Sequence, residues 1–336
     1  MSISGSNRTT YRLAVLAAAL ACTGAASAQT LCVFDLLGAQ GDVYNIMKDY
    51  QIEAAKWGAN LKLKAYSDEK VASEEFKAGQ CDGVLLTGLR ARAYNPFTGS
   101  LDSLGGLPNY KVTNFVLSTL EKPGAAKYMV TGNYEVAGIL PAGAIYLFMN
   151  DRSINNVSKL AGKKIAYFDY DLAQPKMIQK IGAQGVASDI TNFAGKFNNG
   201  SVEVVGAPAI AFKPLELFKG LGSKGAIARF PVLQLSYQII LRKDKFPEGF
   251  GQKSRDFVGA LYPRAMSLVS RAEGQIESNY WMDISQADTD KYFVLLRDSR
   301  ISLTSDGIYD KKMLHVLREA RCHVNPADAE CAQALE

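Results

Sequence analysis

From Leu31 to Asp35 the chain reads LCVFD, a nearly continuous apolar run closed by the two-glycine loop LLGAQGD, which predicts a short buried strand. Apolar positions then recur at helical spacing from about Val43 to Trp57, with Asp42 placed as N-cap. Leu61 to Asp68 (LKLKAYSD) alternates like a strand, EKVASEEFKAG predicts a short helix ended by Gly79, and Cys81 to Gly88 (CDGVLLTG) predicts another buried strand. Strand, helix, strand, helix, strand is the order of a parallel α/β sheet. Arg90 to Pro108, rich in Gly, Pro and Asn, predicts loop with short helices, and Tyr110 to Leu120 a helix.

Glu135 to Asn150 is one long extended stretch, after which NNVSKLAGKKIAYFD predicts a capped turn and a strand from about Lys164 to Asp169. A second unit follows. Gln174 to Gly185 has helical spacing, SVEVVGAP is a strand, FKPLELFKGL a helix ended by glycine, and Gly225 to Val232 a strand. QLSYQIILRKDKFP is extended again, and Ser254 to Ala320 reads mostly as helices. Two α/β units joined by extended crossings at Glu135 to Asn150 and Leu235 to Lys243 predict a chain that leaves one lobe, builds a second and returns. The expected division is residues 29–138 with 239–336 as lobe 1, including the C-terminal helices, and 139–238 as lobe 2. Two crossings, with Tyr146 and Tyr237 on them, let the lobes close on a ligand.

The N-terminus adds an address. Arg8 and Arg12 precede the apolar run Leu13 to Cys22, and Ala26-Ser27-Ala28 supplies the small residues a signal peptidase needs, so residues 1–28 read as a signal peptide with cleavage after Ala28. Export to the periplasm is the expectation. Cys22 as a lipidated cysteine is the other reading, although Ala19-Leu20-Ala21 matches poorly the run that precedes such a cysteine. No later stretch has membrane-spanning length, because Ala137 to Met149 is broken by Gly138, Pro141 and Gly143.

The whole chain carries 38 Lys and Arg against 33 Asp and Glu; without Arg8 and Arg12 the balance is 36 against 33, a net charge of +3 with interleaved signs. Such a surface implies no nucleic-acid partner. Loss of Cys22 would leave Cys32, Cys81, Cys322 and Cys331, an even set in an oxidising compartment, with three possible pairings. Cys32 and Cys81 each open a strand of one parallel sheet and so fall at the same end, and Cys322 and Cys331 close a short loop; these are the expected disulfides. Only two histidines, His315 and His323, are present and no Cys-x-x-Cys, so neither metal nor cofactor is expected. GLGSKG at Gly220 to Gly225 fits G-x-G-x-x-G, yet a helix precedes it and a strand follows, the reverse of the dinucleotide fingerprint. It predicts a helix-to-strand turn.

INNVSKLAGKKIAYFD (Ile154 to Asp169) resembles the L-x-G-K-K-I entry to the second domain of periplasmic solute-binding proteins. YEVAGILPAGAIYLF before it, GAPAIAFKPLELFKGLGSKGAIARFP after it and QLSYQIILRKDKFPEGFGQKSRDFV further on are similar, in that order, to the binding proteins of TRAP transporters. The chain is closest to a branch of solute-binding proteins of which some were labelled RND efflux pump components, a label at odds with a chain that has no run of spanning segments. The resemblance implies a type II periplasmic-binding-protein fold and capture of a small solute for an inner-membrane transporter. The TRAP family commonly carries an arginine for the substrate carboxylate in the pattern G-L-K-I-R; here Gly162-Lys163-Lys164-Ile165 is followed by Ala166. Two other uses of the fold stay open: a periplasmic adaptor or sensor with a degenerate cleft, and an enzyme, for which no base and nucleophile converge in the sequence.

Ligands of open α/β sheets bind beyond the carboxyl ends of the strands. By that rule lobe 1 offers Asp35, Gln40, Thr87, Arg90 and Arg92, lobe 2 offers Asp169, Tyr170, Pro208, Phe212, Arg229 and Phe230, and the crossings offer Tyr146 and Tyr237. Arg229 is the expected replacement for the missing arginine, since a guanidinium can hold a carboxylate with two hydrogen bonds.

Overall fold

The computed structural model describes residues 1–2, 28–333 and 335–336. The segment expected as a signal peptide, with Cys22 in it, lies outside the described residues except at its ends. In chain order the first unit holds β1 (Gln29–Phe34), α1 (Asp42–Lys56), β2 (Leu61–Tyr66), α2 (Glu69–Lys77) and β3 (Gly83–Thr87). The short α3 (Gly88–Ala91) and α4 (Pro96–Gly99), α5 (Tyr110–Leu120) and β4 (Val130–Thr131) come next. β5 (Tyr134–Met149) leads into β6 (Lys164–Phe168), α6 (Ala173–Lys180), β7 (Gln184–Ser188), α7 (Phe193–Asn198), β8 (Val204–Pro208), α8 (Phe218–Leu221) and β9 (Ala226–Ala228). β10 (Leu233–Arg242) returns to α9 (Phe250–Ala260), α10 (Tyr262–Gly274), β11 (Trp281–Met282), α11 (Gln286–Ser305) and α12 (Lys311–Val324).

The sheet runs β2-β1-β3-β10-β5-β8-β6-β7. β1 pairs in parallel with β2 and β3, and β6 in parallel with β7 and β8, so each end of the sheet is a parallel α/β unit. Between them β10 and β5 run antiparallel from Leu233↔Ile145 to Arg242↔Tyr134. β5 then continues past β10 and pairs its last residues, Ile145 to Met149, with β8. One strand therefore belongs to both halves. Its register with β10 shifts between Leu235 and Ser236, opposite Gly143 at φ +101°, a left-handed position that suits glycine and a β-bulge that bends the strand pair.

β10 alternates Leu233, Leu235, Tyr237, Ile239 and Leu241 on one face with Gln234, Ser236 and Gln238 on the other, all of them buried. The polar face meets the α4 region, where Ser236 donates from N and Oγ to Asp102 at 2.9 and 2.7 Å and Gln238 donates to Thr98 O at 2.9 Å. On β5, Gly138 lets α9 approach, since a Cβ there would lie 2.6 Å from Val258. A separate aromatic cluster of Phe148, Phe193, Phe197 and Phe212 fills the second unit. No helix of the described residues is long and apolar enough to cross a membrane.

Both expected disulfides are present, Cys32–Cys81 with Cα atoms 5.9 Å apart and Cys322–Cys331 at 5.6 Å. The second one staples the C-terminal tail so that Glu330 and Glu336 meet the buried Arg300 and Arg321. GLGSKG is a helix-to-strand turn with Gly222 at φ +52°.

Three local expectations need correction. Asp42 is the first residue of α1 and makes no cap; Asp35, at the end of β1, reaches across the loop and accepts from Val43 N and Tyr44 N. The helical stretch from Gln174 to Gly185 stops at Lys180, and Gln184–Ser188 forms β7, because the free edge of β6 offers a full ladder. Of FKPLELFKGL only Phe218–Leu221 is α-helical, since Pro214 interrupts the turn and Glu216 sits at φ +52°.

Candidate functional site

A cleft of about 290 Å³ opens where the two units meet. Its walls come from the β1–α1 loop (Asp35 to Val43), the crossings at Leu140, Pro141, Ala142 and Tyr237, the segment after β8 (Ala209 to Pro214) and one side of α10. Asp35 sits in this wall but is occupied: its carboxylate accepts from Leu37 N at 2.8 Å, Val43 N at 2.9 Å and Tyr44 N at 3.1 Å. The loop folds around it closely enough that a Cβ on Gly41 would overlap the carboxylate, so Gly41 is required there. Phe212 and Tyr237 line the same cleft. Tyr237 is 4% exposed, its hydroxyl has no hydrogen-bond partner among the described residues, and burial raises its pKa.

Behind Tyr237 the carboxyl ends of β1, β3, β6 and β8 converge on a smaller hollow of about 50 Å³, lined in part by Thr87, Tyr170, Pro208 and Glu69. Glu69, 1% exposed at the first position of α2, organises it. One carboxylate oxygen accepts from Thr87 N and Thr87 Oγ1, both at 2.6 Å; the other accepts from the Tyr170 hydroxyl at 3.2 Å and faces Arg90 Nε at 3.3 Å. The Arg90 guanidinium lies 3.6 Å from the centre of the Tyr170 ring, which is also stacked with Phe168 at 5.6 Å. Beside it Arg92 donates to Asp171 at 3.1 Å and to Gly99 O at 3.1 Å. Two polar bridges thus join the first α/β unit to the loop after β6. Asp102, fully buried near Arg92 and Asp171, has its pKa pushed up to about 7 by burial, against the lowering effect of its two Ser236 hydrogen bonds.

Other candidates lie elsewhere. Gln40 is exposed in a one-turn helix, and Asp169 is exposed one position before the ring that points inward. Arg229 is not a free clamp: its side chain is 53% exposed, donates to Asp283 at 2.8 Å and packs over Trp281 at 4.8 Å. Phe230 is core, stacked on Tyr292 at 5.0 Å. The Tyr146 hydroxyl donates to Glu273 of α10 at 2.9 Å, and its ring stands edge-on to Trp281 at 5.0 Å, tying the crossing to the C-terminal helices. Ala166 lines an apolar hollow with Leu147, Phe168 and Phe193, where an arginine would have no counter-charge among the lining residues. Glu69 and Asp171 were missed in the sequence because an acidic residue in a helix's first turn, or next to one, is the commonplace pattern of helix starts. The usable signal was the position of each just past a strand's carboxyl end. No three His, Cys, Asp or Glu side chains among the described residues are grouped as metal ligands.

The family model described as "Solute-binding protein AdeT 1/2" matches residues 51–336. The probable solute-binding protein AdeT1 of Acinetobacter baumannii is 51% identical over 300 residues, covering 89% of this chain and 99% of that protein. AdeT2 of the same organism is 26% identical over 236 residues, covering 69% and 98%. Among solved structures, a TRAP periplasmic solute-binding protein from Desulfovibrio salexigens with bound orotic acid superposes with a TM-score of 0.73 at 12% identity, covering 88% of this chain and 99% of that one. A TRAP protein from Rhodoferax ferrireducens with bound malonate gives 0.69 at 12% identity, covering 89% and 100%. The fold is the two-lobe type II architecture of those proteins, and the chain belongs to the AdeT1/2 family of solute-binding proteins.

Proposed function

We propose that this chain captures a small solute in the periplasm, between lobes formed by residues 29–138 with 239–336 and by 139–238, and delivers it to an inner-membrane transporter of the TRAP type. Export would follow cleavage after Ala28. The observation that carries this reading is the cleft of about 290 Å³, walled by segments from both units and crossed by the two strands that join them. Its volume is at the lower end of the range of small-molecule sites. The similar structures holding orotic acid and malonate support a solute of that size class. Binding and not catalysis is the role we assign, in keeping with the solute-binding family.

Within that reading Asp35, Phe212 and Tyr237 belong to the solute's surroundings. Thr87, Arg90, Arg92, Tyr170 and Pro208 form the face on which the lobes meet when closed. A thermal-shift screen of small periplasmic solutes, followed by small-angle scattering, tests the reading: a specific solute should raise the melting temperature and reduce the radius of gyration, and an unchanged radius at saturating solute would mean a fixed cleft or an already closed form. Turnover of the solute would replace it with an enzyme, and silence across the library with an adaptor whose cleft no longer binds.

A further inference from the structure

Three spaces follow one another along the seam between the two units. The cleft of about 290 Å³ shares Leu36 and Tyr237 with the hollow of about 50 Å³ behind it. That hollow shares Leu89, Ile145, Phe168, Phe193 and Gly206 with a further hollow of about 70 Å³ at Ala166. None of the three has a charge to spare. At the cleft Asp35 and Asp42 stand against Lys213 and Arg271, a balance of zero, and Asp35 already accepts three backbone N–H groups. In the middle hollow the one charged side chain is Glu69, whose oxygens are held by Thr87 and Tyr170. The innermost hollow is lined by no Asp, Glu, Lys, Arg or His among the described residues. Its amide, Gln174, is engaged at both ends: Oε1 accepts from Phe168 N at 3.0 Å and Nε2 donates to Asp171 at 2.9 Å. Ala166, Phe168 and Met177 line it yet stay half-buried, so apolar surface is left there for a ligand to cover.

We infer that this seam takes an uncharged, largely apolar solute, which enters at the cleft and reaches past Leu36 and Tyr237 to put a compact hydrocarbon group against Ala166 and Phe168. The inference rests on the reading that the chain captures a solute, and adds its class. That class departs from orotic acid and malonate, the acids held by the similar structures. The reason is desolvation: an ion carried into the inner hollows would lose its water and find no unspent opposite charge, whereas a hydrocarbon group gains by leaving water. Each inner hollow is smaller than the about 150 Å³ that holds a benzene ring in an apolar protein cavity, and joined across Phe168 the two approach that size.

Toluene, benzyl alcohol, benzoate and benzylammonium share one ring and differ in charge, and calorimetry with the four tests this. The two uncharged compounds should bind, and the two ions about thirtyfold or more weaker, because neither charge meets a free partner. In protein with isotope-labelled methionine methyls, the Met177 resonance, assigned by its loss in Met177→Leu, should shift with toluene and stay in place with benzoate. Ala166→Leu fills the innermost hollow, so it should cut toluene affinity by about tenfold while the melting temperature holds or rises, a pairing that unfolding would not produce. Ala166→Val, the smaller filling, should give a smaller loss in the same direction. Toluene affinity unchanged in both variants overturns the inference, as does silence of toluene and benzyl alcohol or a best solute that carries a charge; in each of these cases solute capture stands on whatever other solute binds. No response to the four ring compounds or to a broad solute library overturns both.

Discussion

Two arginine–carboxylate clusters are buried in this protein, and they differ in how completely they are bonded. At the C-terminus Arg300 is bonded at all three nitrogens, donating Nε to Glu336, one terminal nitrogen to Leu104 O and the other to both oxygens of Glu330, while Arg321 joins Glu330, Glu336 and Gly106 O and leaves its Nε without a partner. In the second cluster Arg90 faces Glu69 of its own lobe at 3.3 Å without a hydrogen bond from Nε; Tyr170 and Asp171 of the other lobe reach Glu69, Arg90 and Arg92, and one terminal nitrogen of Arg92 has no partner. The chemistry is the same. The first cluster ties a tail to its own unit, whereas the second includes contacts to the loop after β6, which would have to part if the proposed lobes open for a solute. A fully bonded buried pair is costly to break because it strands a charge; a loosely bonded one, resting in part on an arginine stacked on a tyrosine, can part and re-form at a smaller cost.

Arg300→Ala should do the most damage, since it strands Glu330 and Glu336 beside a single remaining arginine. A loss of about 3–5 kcal/mol in urea unfolding is expected. A loss under 1 kcal/mol would put the two clusters on the same footing.

Next comes pH, acting through Asp102 beside the interlobe pair. Its carboxyl titrates at about 7 in the folded chain against an ordinary value of 3.8. The folded state therefore holds a proton that the unfolded state releases, so this contribution is fully present below the ordinary value and is lost as pH rises toward and through about 7. Unfolding free energy should fall across that window by on the order of a few kcal/mol from this group, and Asp102→Asn should flatten that fall. A pH profile unchanged in Asp102→Asn would remove the group from the account.

Removing the Cys322–Cys331 link with Cys331→Ser frees a loop of 9 residues. The chain-entropy model gives a loss of about 2.5 kcal/mol, less than the roughly 4 kcal/mol for the 49-residue separation of Cys32–Cys81. Because the link also positions Glu330, combining Cys331→Ser with Arg300→Ala should cost less than the two losses added, as expected of coupled neighbours. Strict additivity would separate the staple from the arginines.

The smallest effect on stability belongs to Glu69→Gln, which keeps an acceptor for Thr87 but removes the charge facing Arg90. About 1–2 kcal/mol is expected, directed at lobe closure, so scattering without solute should show a larger radius of gyration while the melting temperature changes little. A large drop in melting temperature with an unchanged radius would make the interlobe cluster as static as the C-terminal one.

Local patterns along the chain were enough to place most of the strands and helices, both disulfides and the helix-to-strand turn at GLGSKG, because apolar period, glycine and loop length act over a few residues. β7 was not legible, since QGVAS gains its conformation only from the ladder offered by β6. Asp42 looked like the cap because it adjoins the helix, yet Asp35 reaches the same N–H groups through a loop whose path no local signal encodes. The strand expected from Gly225 to Val232 is only Ala226–Ala228, so Arg229 follows it, and its side chain found Asp283, 54 positions away. Glu69 and Tyr170 lie 101 positions apart and meet only after both lobes have formed. The chain's own residues thus set the α/β order, the two crossings and the sulfur pairing, because those depend on short-range geometry and burial. Which charged side chains are taken up in internal pairs, and which remain to meet a solute, was decided by the packing of one lobe on the other, because a charge is neutralised by whatever partner lies within a few ångströms, however distant it is in sequence.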